Sequence, residues 1–286
     1  MRSLRTAIAL LAASALLASC QSSDPLPDEG LSADDLAVQE LVRKSVAAEN
    51  AQDADAFLVL WTDEGLAEYD AGTRTEIEAG NSENFGAEKF QIEEFFITDV
   101  GGDTARVTVD ATKLKPSFAR PIFRVRFEAI RRGDTWFLNG FEFIGGPVPS
   151  EDLTVLNIDA KEYAFLHAVN ELQGEFAMTF TNVGEEQHEL TMFKAPDGTE
   201  FEAGAEALVG VDGSELTDLP AGYEAEHLSF AEPGDSTDIV FAEPLVPGVY
   251  FFACYIPKGG FGDQGPLDPK GEPHAELGMI SRITVA

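Results

Sequence analysis

Across residues 145–150, Gly-Gly-Pro-Val-Pro-Ser, the hydrophobic pattern of the chain changes period, and one layered core does not serve both patterns. Upstream, apolar residues recur first at helical spacing and then in alternation. Downstream, only short alternating stretches recur, separated by Gly/Pro turns. The Gly/Pro-rich stretch is linker chemistry, and about 250 residues exceed what one small core usually organises. The pattern therefore predicts two domains, 34–145 and 153–286, joined by a linker over 146–152.

In the upstream part, Leu36, Val38, Leu41, Val42, Val46 and Ala47 predict a helix over 33–50 that ends at Glu49-Asn50. A second short helix is expected over 53–61, with Asp53 or Asp55 as its cap. Alternating segments follow over 90–98, 106–114, 122–131 and 135–143. In the third, Phe123, Val125, Phe127 and Ala129 face one way and Arg124, Arg126 and Glu128 the other, the pattern of a half-buried strand. Helices followed by an antiparallel sheet make an α+β domain. This order, closed by the "RRGDTWFLNGFEF" hairpin, resembles the NTF2-like family of cone-shaped domains over most of residues 34–145. That family includes isomerases, cyclases and many non-catalytic modules. The segment holds no His, the commonest acid–base residue. Tyr69, Asp70, Asp99 and Asp110 remain as pocket candidates, although isolated Asp and Tyr are more often solvated or structural.

In the downstream part, strands are predicted over 153–158, 175–181, 188–194, 237–241, 249–256 and 280–285. The turn signals "NVGE", "APDG", "EPGD" and "VPGV" separate several of them. Many short strands with such turns imply an all-β sandwich. Residues 195–227 are too polar and Gly-rich for a core strand pair and read as a surface excursion with no long helix.

The first twenty residues address the compartment. Arg2 and Arg5 precede an apolar run from Ala7 to Ala18, which at helical rise covers about 18 Å against a hydrocarbon core of roughly 30 Å. Residues 1–19 are therefore expected to be an export signal. The ending Leu17-Ala18-Ser19-Cys20 resembles the lipobox of bacterial lipoproteins. That resemblance implies acylation of Cys20, a tether over 20–33, and an extracytoplasmic protein held to a bacterial membrane by its lipid. The one other cysteine, Cys254, then has no disulfide partner within the chain. It is either an inert buried thiol or a ligand protected by its metal.

Period 2 places the remaining chemistry. In "HELTMFK", His188 shares a face with Leu190 and Met192; in "VYFFACYI", Cys254 shares a face with Tyr250, Phe252 and Ile256. An imidazole at the start of one strand and a thiol at the end of another can meet at one pole of a sandwich. The stretches "TFTNVGEEQHEL", "EPLVPGVYFFAC" and "PHAELGM" resemble the turn, Cys strand and closing loop of the cupredoxin, or blue-copper, family over residues 153–286. The resemblance implies a Greek-key sandwich binding one copper ion, with His188, Cys254 and His274 as trigonal ligands and Met279 as the long axial one, for one-electron transfer. The spacing departs from the family, because 19 residues separate Cys254 from His274 where a few are usual. A longer loop costs little entropy, roughly 0.6 kcal/mol per doubling, but it loosens the link between the two ligands. Pro257, Pro266, Pro269 and Pro273 stiffen parts of this insertion. His167 and His227 match no ligand position and read as surface residues.

A dinuclear oxidase site needs two Cys and a multicopper oxidase several His-x-His clusters; neither pattern is present, so an electron carrier or copper-binding protein is expected rather than an enzyme. Copper storage or delivery is the second reading. A metal-free interaction module, with ligand binding by the NTF2-like domain, is the third.

The formal charge is −32, and it becomes −34 without Arg2 and Arg5, which excludes a phosphate-backbone ligand and hence a nucleic-acid partner. From residue 151 onward 26 acidic groups face 5 basic ones, against 25 and 12 in residues 20–150. Such a surface can steer a basic redox or copper-exchange protein, or it can simply serve solubility or a high-salt habitat. Residues 113–132 run the other way, with seven basic side chains and one acid. They suit docking on the acidic second domain or on anionic lipid headgroups, or they are solvated; the sequence does not state an oligomeric state.

Overall fold

The computed structural model describes residues 31–69, 72–82, 85–86, 89–114, 118–211, 216, 219–262, 265–269 and 271–286. Residues 1–19, expected to be an export signal, and Cys20 and Asp70 lie outside the described residues. Among those described, no helix is long and apolar enough to cross a membrane. The chain divides into two compact units: one holds the described residues up to 114 together with Ile122–Gly145, the other 118–121 together with Gly146–Ala286.

The first unit opens with α1 (Ala33–Asn50), whose start is fixed by a reciprocal cap. The Ser32 hydroxyl accepts the Asp35 N–H at 3.1 Å and the Asp35 carboxylate accepts the Ser32 N–H at 2.7 Å, an arrangement of about 1 kcal/mol. Then come α2 (Ala54–Leu58), α3 (Asp63–Glu68) and α4 (Arg74–Glu78), capped by the side chains of Asp53, Thr62 and Thr73. The last two helices are too short to show a hydrophobic period, and only their Thr caps mark them in the sequence. Four antiparallel strands follow in the order β1 (Phe90–Gly101), β2 (Thr104–Lys113), β3 (Pro121–Arg132) and β4 (Thr135–Gly145). One sheet face, with Val107, Val109, Val125, Phe127 and Ala129, packs on Val38, Val42, Phe57 and Trp61 of the helices and the α2–α3 turn. The basic run is largely neutralised within this unit: Arg124 holds Asp110 at 2.6 and 2.8 Å, Arg126 holds Glu142, and Arg131 holds Asp34 and Asp103.

The second unit is a sandwich of two sheets. Its strands are β5 (Thr154–Lys161), β6 (Ala164–Leu166), β7 (Glu171–Leu172), β8 (Phe176–Asn182), β9 (His188–Ala195), β10 (Glu224–Ala231), β11 (Ser236–Phe241), β12 (Gly248–Ala253), β13 (Phe261–Gly262), β14 (Gly265–Pro269) and β15 (Ile280–Val285). Within this unit, one sheet runs β11-β8-β5-β6 and the other β10-β9-β12-β15-β7, with β5/β8 and β7/β15 parallel. Between them lie Leu156, Ile158, Met178 and Phe180 from one side and Leu190, Met192, Tyr250, Phe252 and Ile283 from the other.

The stretch 195–227 is not wholly an excursion. It carries a helix, α5 (Phe201–Val209), and the first residues of β10, which pairs with β9. Leu208 of this helix covers the outer face of the second sheet, where Phe193, Phe251 and Ala253 would otherwise meet water. Each such large apolar side chain contributes about 1.5–3 kcal/mol when fully buried. The helix sits so close that a Cβ on Gly204 would lie 2.0 Å from the Phe251 ring. Covered on both faces, β9 and β12 are nearly continuous runs of buried residues instead of half-buried strands.

Candidate metal centre

The alternation of β9 and β12 places His188 and Cys254 on the inner face of the second sheet, at one pole of the sandwich. His188 opens β9 directly after a turn that Asn182 holds together. The Asn182 amide donates to the carbonyls of Glu186 at 2.7 Å and Ala231 at 2.9 Å, and its oxygen accepts the Gly184 N–H at 2.9 Å. Asn182 is itself buried, so each of these bonds replaces lost water. Cys254 follows β12, and its sulfur accepts the Glu189 N–H at 3.3 Å.

His274 reaches the same pole in spite of the 19-residue gap, because the base of the insertion is zipped. Ile256 accepts the His274 N–H at 2.9 Å, the Lys258 N–H donates to Glu272 at 2.8 Å, and Pro257 and Pro273 form an antiparallel bridge. The Ala275 N–H donates to the Cys254 carbonyl at 2.6 Å, and a turn then returns Met279 so that its carbonyl accepts the Cys254 N–H at 3.3 Å. The loosening expected from the loop length is thus cancelled at its first and last residues. Of the insertion itself, β13 and β14 pair as a small hairpin.

Three donor atoms converge. His188 Nδ1 and His274 Nδ1 are 3.2 Å apart, and they lie 3.9 and 3.4 Å from Cys254 Sγ. A point equidistant from all three is about 2.0 Å from each, against metal–nitrogen and metal–sulfur bonds of roughly 2.0–2.3 Å. All three residues, and Met279 beside them, are 0% exposed. His188 Nε2 has no hydrogen-bond partner, so its ring is oriented by packing and by what its Nδ1 meets. Two imidazoles, a thiol and an adjacent thioether residue form the donor set suited to copper.

The electrostatics keep these donors neutral. Burial, helped by the neighbouring His274, pulls the His188 pKa down to about 4, and burial also lowers His274 against the opposing pull of Glu186. Burial and then Glu189 push the Cys254 thiol up. Glu189, fully buried, is raised to about 7 by desolvation, although the Tyr255 N–H donates to it at 2.7 Å. Glu186 is held low, chiefly by the Gly259 N–H and then by His274 and Tyr163. Neither Glu186 nor Glu189 stands out in the sequence, where both lie in the acidic run "GEEQHE" that reads as solvated charge.

The other candidate residues do not join this cluster. His167 is half-buried on β6–β7 connecting chain and contacts the Val169 carbonyl and Ser281; His227 lies on β10 with its ring 4.2 Å from that of Phe230. In the first unit Tyr69 bonds Glu49, Asp110 is paired with Arg124, and Asp99 is exposed, so the three do not gather into one site.

No protein-family model matches the chain, and no curated protein does. Among solved structures, reduced auracyanin from the photosynthetic bacterium Roseiflexus castenholzii aligns with 46% of this chain and 97% of its own, at 26% identity and a TM-score of 0.27. Auracyanin B aligns with 50% and 96%, at 20% identity and a TM-score of 0.29. An NTF2-like protein of unknown function from Pseudomonas putida KT2440 aligns with 42% and 90%, at 14% identity and a TM-score of 0.34. By its own strand order and cores, the chain is an α+β domain followed by a β-sandwich with a His-Cys-His cluster at one pole.

Proposed function

We propose that the sandwich binds one copper ion through His188, Cys254 and His274, with Met279 as a weak fourth ligand, and that the protein is an extracytoplasmic electron carrier anchored by lipid on Cys20. The convergence of two Nδ1 atoms and one Sγ around a single point in a fully buried pole carries this reading. When bound, copper supplies a reversible one-electron couple. The chain supplies the rest. The sandwich fixes the two imidazoles and the thiol before the metal arrives, so little needs to move between oxidation states. The Glu189 N–H stabilises charge on the Cys254 sulfur, and the apolar lining from Leu190, Met192 and Phe252 keeps water away. A site with no exposed ligand leaves no face for a substrate, which supports electron transfer over oxidation chemistry.

The test is visible absorption and electron paramagnetic resonance of the purified protein after Cu(II) loading, beside Cys254→Ser. An intense thiolate-to-copper band that is missing in the variant is the expected result. Tight Cu(I) binding without a stable Cu(II) state would redirect the reading to storage or delivery. Binding of neither ion would leave the sandwich as an interaction module.

A further inference from the structure

Glu186 belongs to no strand and donates nothing to the three-atom cluster, yet it contacts most of what surrounds His274. One carboxylate oxygen, Oε2, lies 3.1 Å from His274 Nε2 and accepts the Gly259 N–H at 2.8 Å. The other, Oε1, is 3.4 Å from the Tyr163 hydroxyl, whose ring stands edge-on to His274 with centroids 5.1 Å apart. The Glu186 carbonyl is in turn held by buried Asn182. An ionised carboxylate only accepts hydrogen bonds, so the Nε2 contact is satisfied when Nε2 carries the proton. The imidazole then presents a lone pair at Nδ1, the atom 3.4 Å from Cys254 Sγ. The same oxygen also grips the first turn of the insertion, so one side chain ties together the loop base, the second His and the turn leading into His188.

We infer that Glu186 is the positioning residue of this centre: it holds His274 in the Nε2–H tautomer with Nδ1 facing Cys254, and it fastens the Gly259 end of the insertion across that ring. Its consequence for copper rests on the function proposed above, whereas its cause is a set of hydrogen bonds present without metal. Carboxylates placed behind metal-binding imidazoles orient the ring and raise its basicity, and their loss typically lowers metal affinity about 10–100-fold.

The experiment compares the protein with its Glu186→Gln and Glu186→Ala variants. Long-range nitrogen-15 correlation spectra of the His274 ring, recorded without metal, should show one Nε2–H tautomer in the parent. Glu186→Gln, whose side-chain carbonyl still accepts the N–H, should keep that tautomer, and Glu186→Ala should show a mixture. Competition against a Cu(I) chelator should then give an affinity loss of about 10–100-fold for Glu186→Ala, with Glu186→Gln between it and the parent. An unchanged tautomer in Glu186→Ala, or equal copper affinity in all three proteins, would overturn the inference. If the parent takes up no copper, the proposed function fails, and the tautomer comparison alone decides the role of Glu186.

Discussion

Both domains bury polar side chains that pair off, but the second also holds one cluster of a different kind. In the first, donors in and around the core close on acceptors: the Tyr69 hydroxyl on Glu49 at 2.5 Å, the Trp61 indole on Ser45 at 2.8 Å, and the Thr62 hydroxyl on Asn139 at 2.7 Å. In the second, two imidazole nitrogens and a sulfur crowd one point within 3.9 Å of one another, and His188 Nε2 meets no partner. A polar network that pairs off stabilises a core. A buried cluster that leaves a group such as His188 Nε2 unmet costs stability.

The largest effects should separate these two kinds of polar core. His188→Leu should abolish the thiolate–copper band while leaving the metal-free protein as stable as the parent, or more stable by up to about 1–3 kcal/mol, because it removes a buried group with an unmet donor or acceptor. Urea denaturation of the metal-free proteins checks the second half. A loss of several kcal/mol would show that the imidazole is a satisfied structural group and would erase the contrast. Tyr69→Phe should do the reverse and cost about 1–3 kcal/mol, since it leaves the buried Glu49 carboxylate without its hydroxyl donor. The copper spectrum should not respond to it.

The inward faces of β9 and β12 were legible because period 2 assigns them outright: Leu190, Met192, Tyr250, Phe252 and Cys254 all lie in the inter-sheet core. Period 2 also put His188 and Cys254 on inward faces, whereas His274 and Met279 entered only through the resemblance of the stretches around them; the structure brings His188, Cys254 and His274 within reach of one another. What escaped has no period to read. α5 has Ala and Gly where a helix usually shows an apolar stripe, and its packing depends on Gly204 fitting against Phe251, a contact made only in three dimensions. The zipped base of the insertion is a backbone pairing between two Pro-containing stretches, which strand rules discourage. Glu186 and Glu189 act through single contacts, and charge composition cannot distinguish them from the many acids around them.

Proton competition sharpens the comparison further, because only the converging cluster must lose protons to take a metal. With the Cys254 thiol raised by burial, it is protonated at neutral pH, and thiolate ligation releases that proton. Copper affinity should therefore rise with pH, about tenfold per unit between pH 5 and 8. His188, at about 4, is already neutral throughout this window and adds a second proton only below it. Glu186 is ionised across the window, whereas Glu189, at about 7, changes charge within it, so a pKa lowered by copper would add slope near neutrality. Glu189→Gln should return the slope to a single proton, as read by chelator competition at a series of pH values. A flat profile would mean that the sulfur is not the ligand.

The smallest effect concerns the insertion. If its base alone joins Cys254 to His274, the residues beyond Gly259 and before Gly271 are replaceable by a short turn, since the pairing of 256–258 with 272–274 remains. Halving the loop changes closure entropy by only about 0.6 kcal/mol, in the stabilising direction. Copper affinity should then stay within about threefold of the parent, which is what 0.6 kcal/mol allows. The position of the thiolate–copper band should not move either. A larger loss in the shortened protein would assign the hairpin of β13 and β14 a part in enclosing the centre. The sandwich would then resemble the first domain, with its polar groups held by surrounding structure instead of by a shared ion.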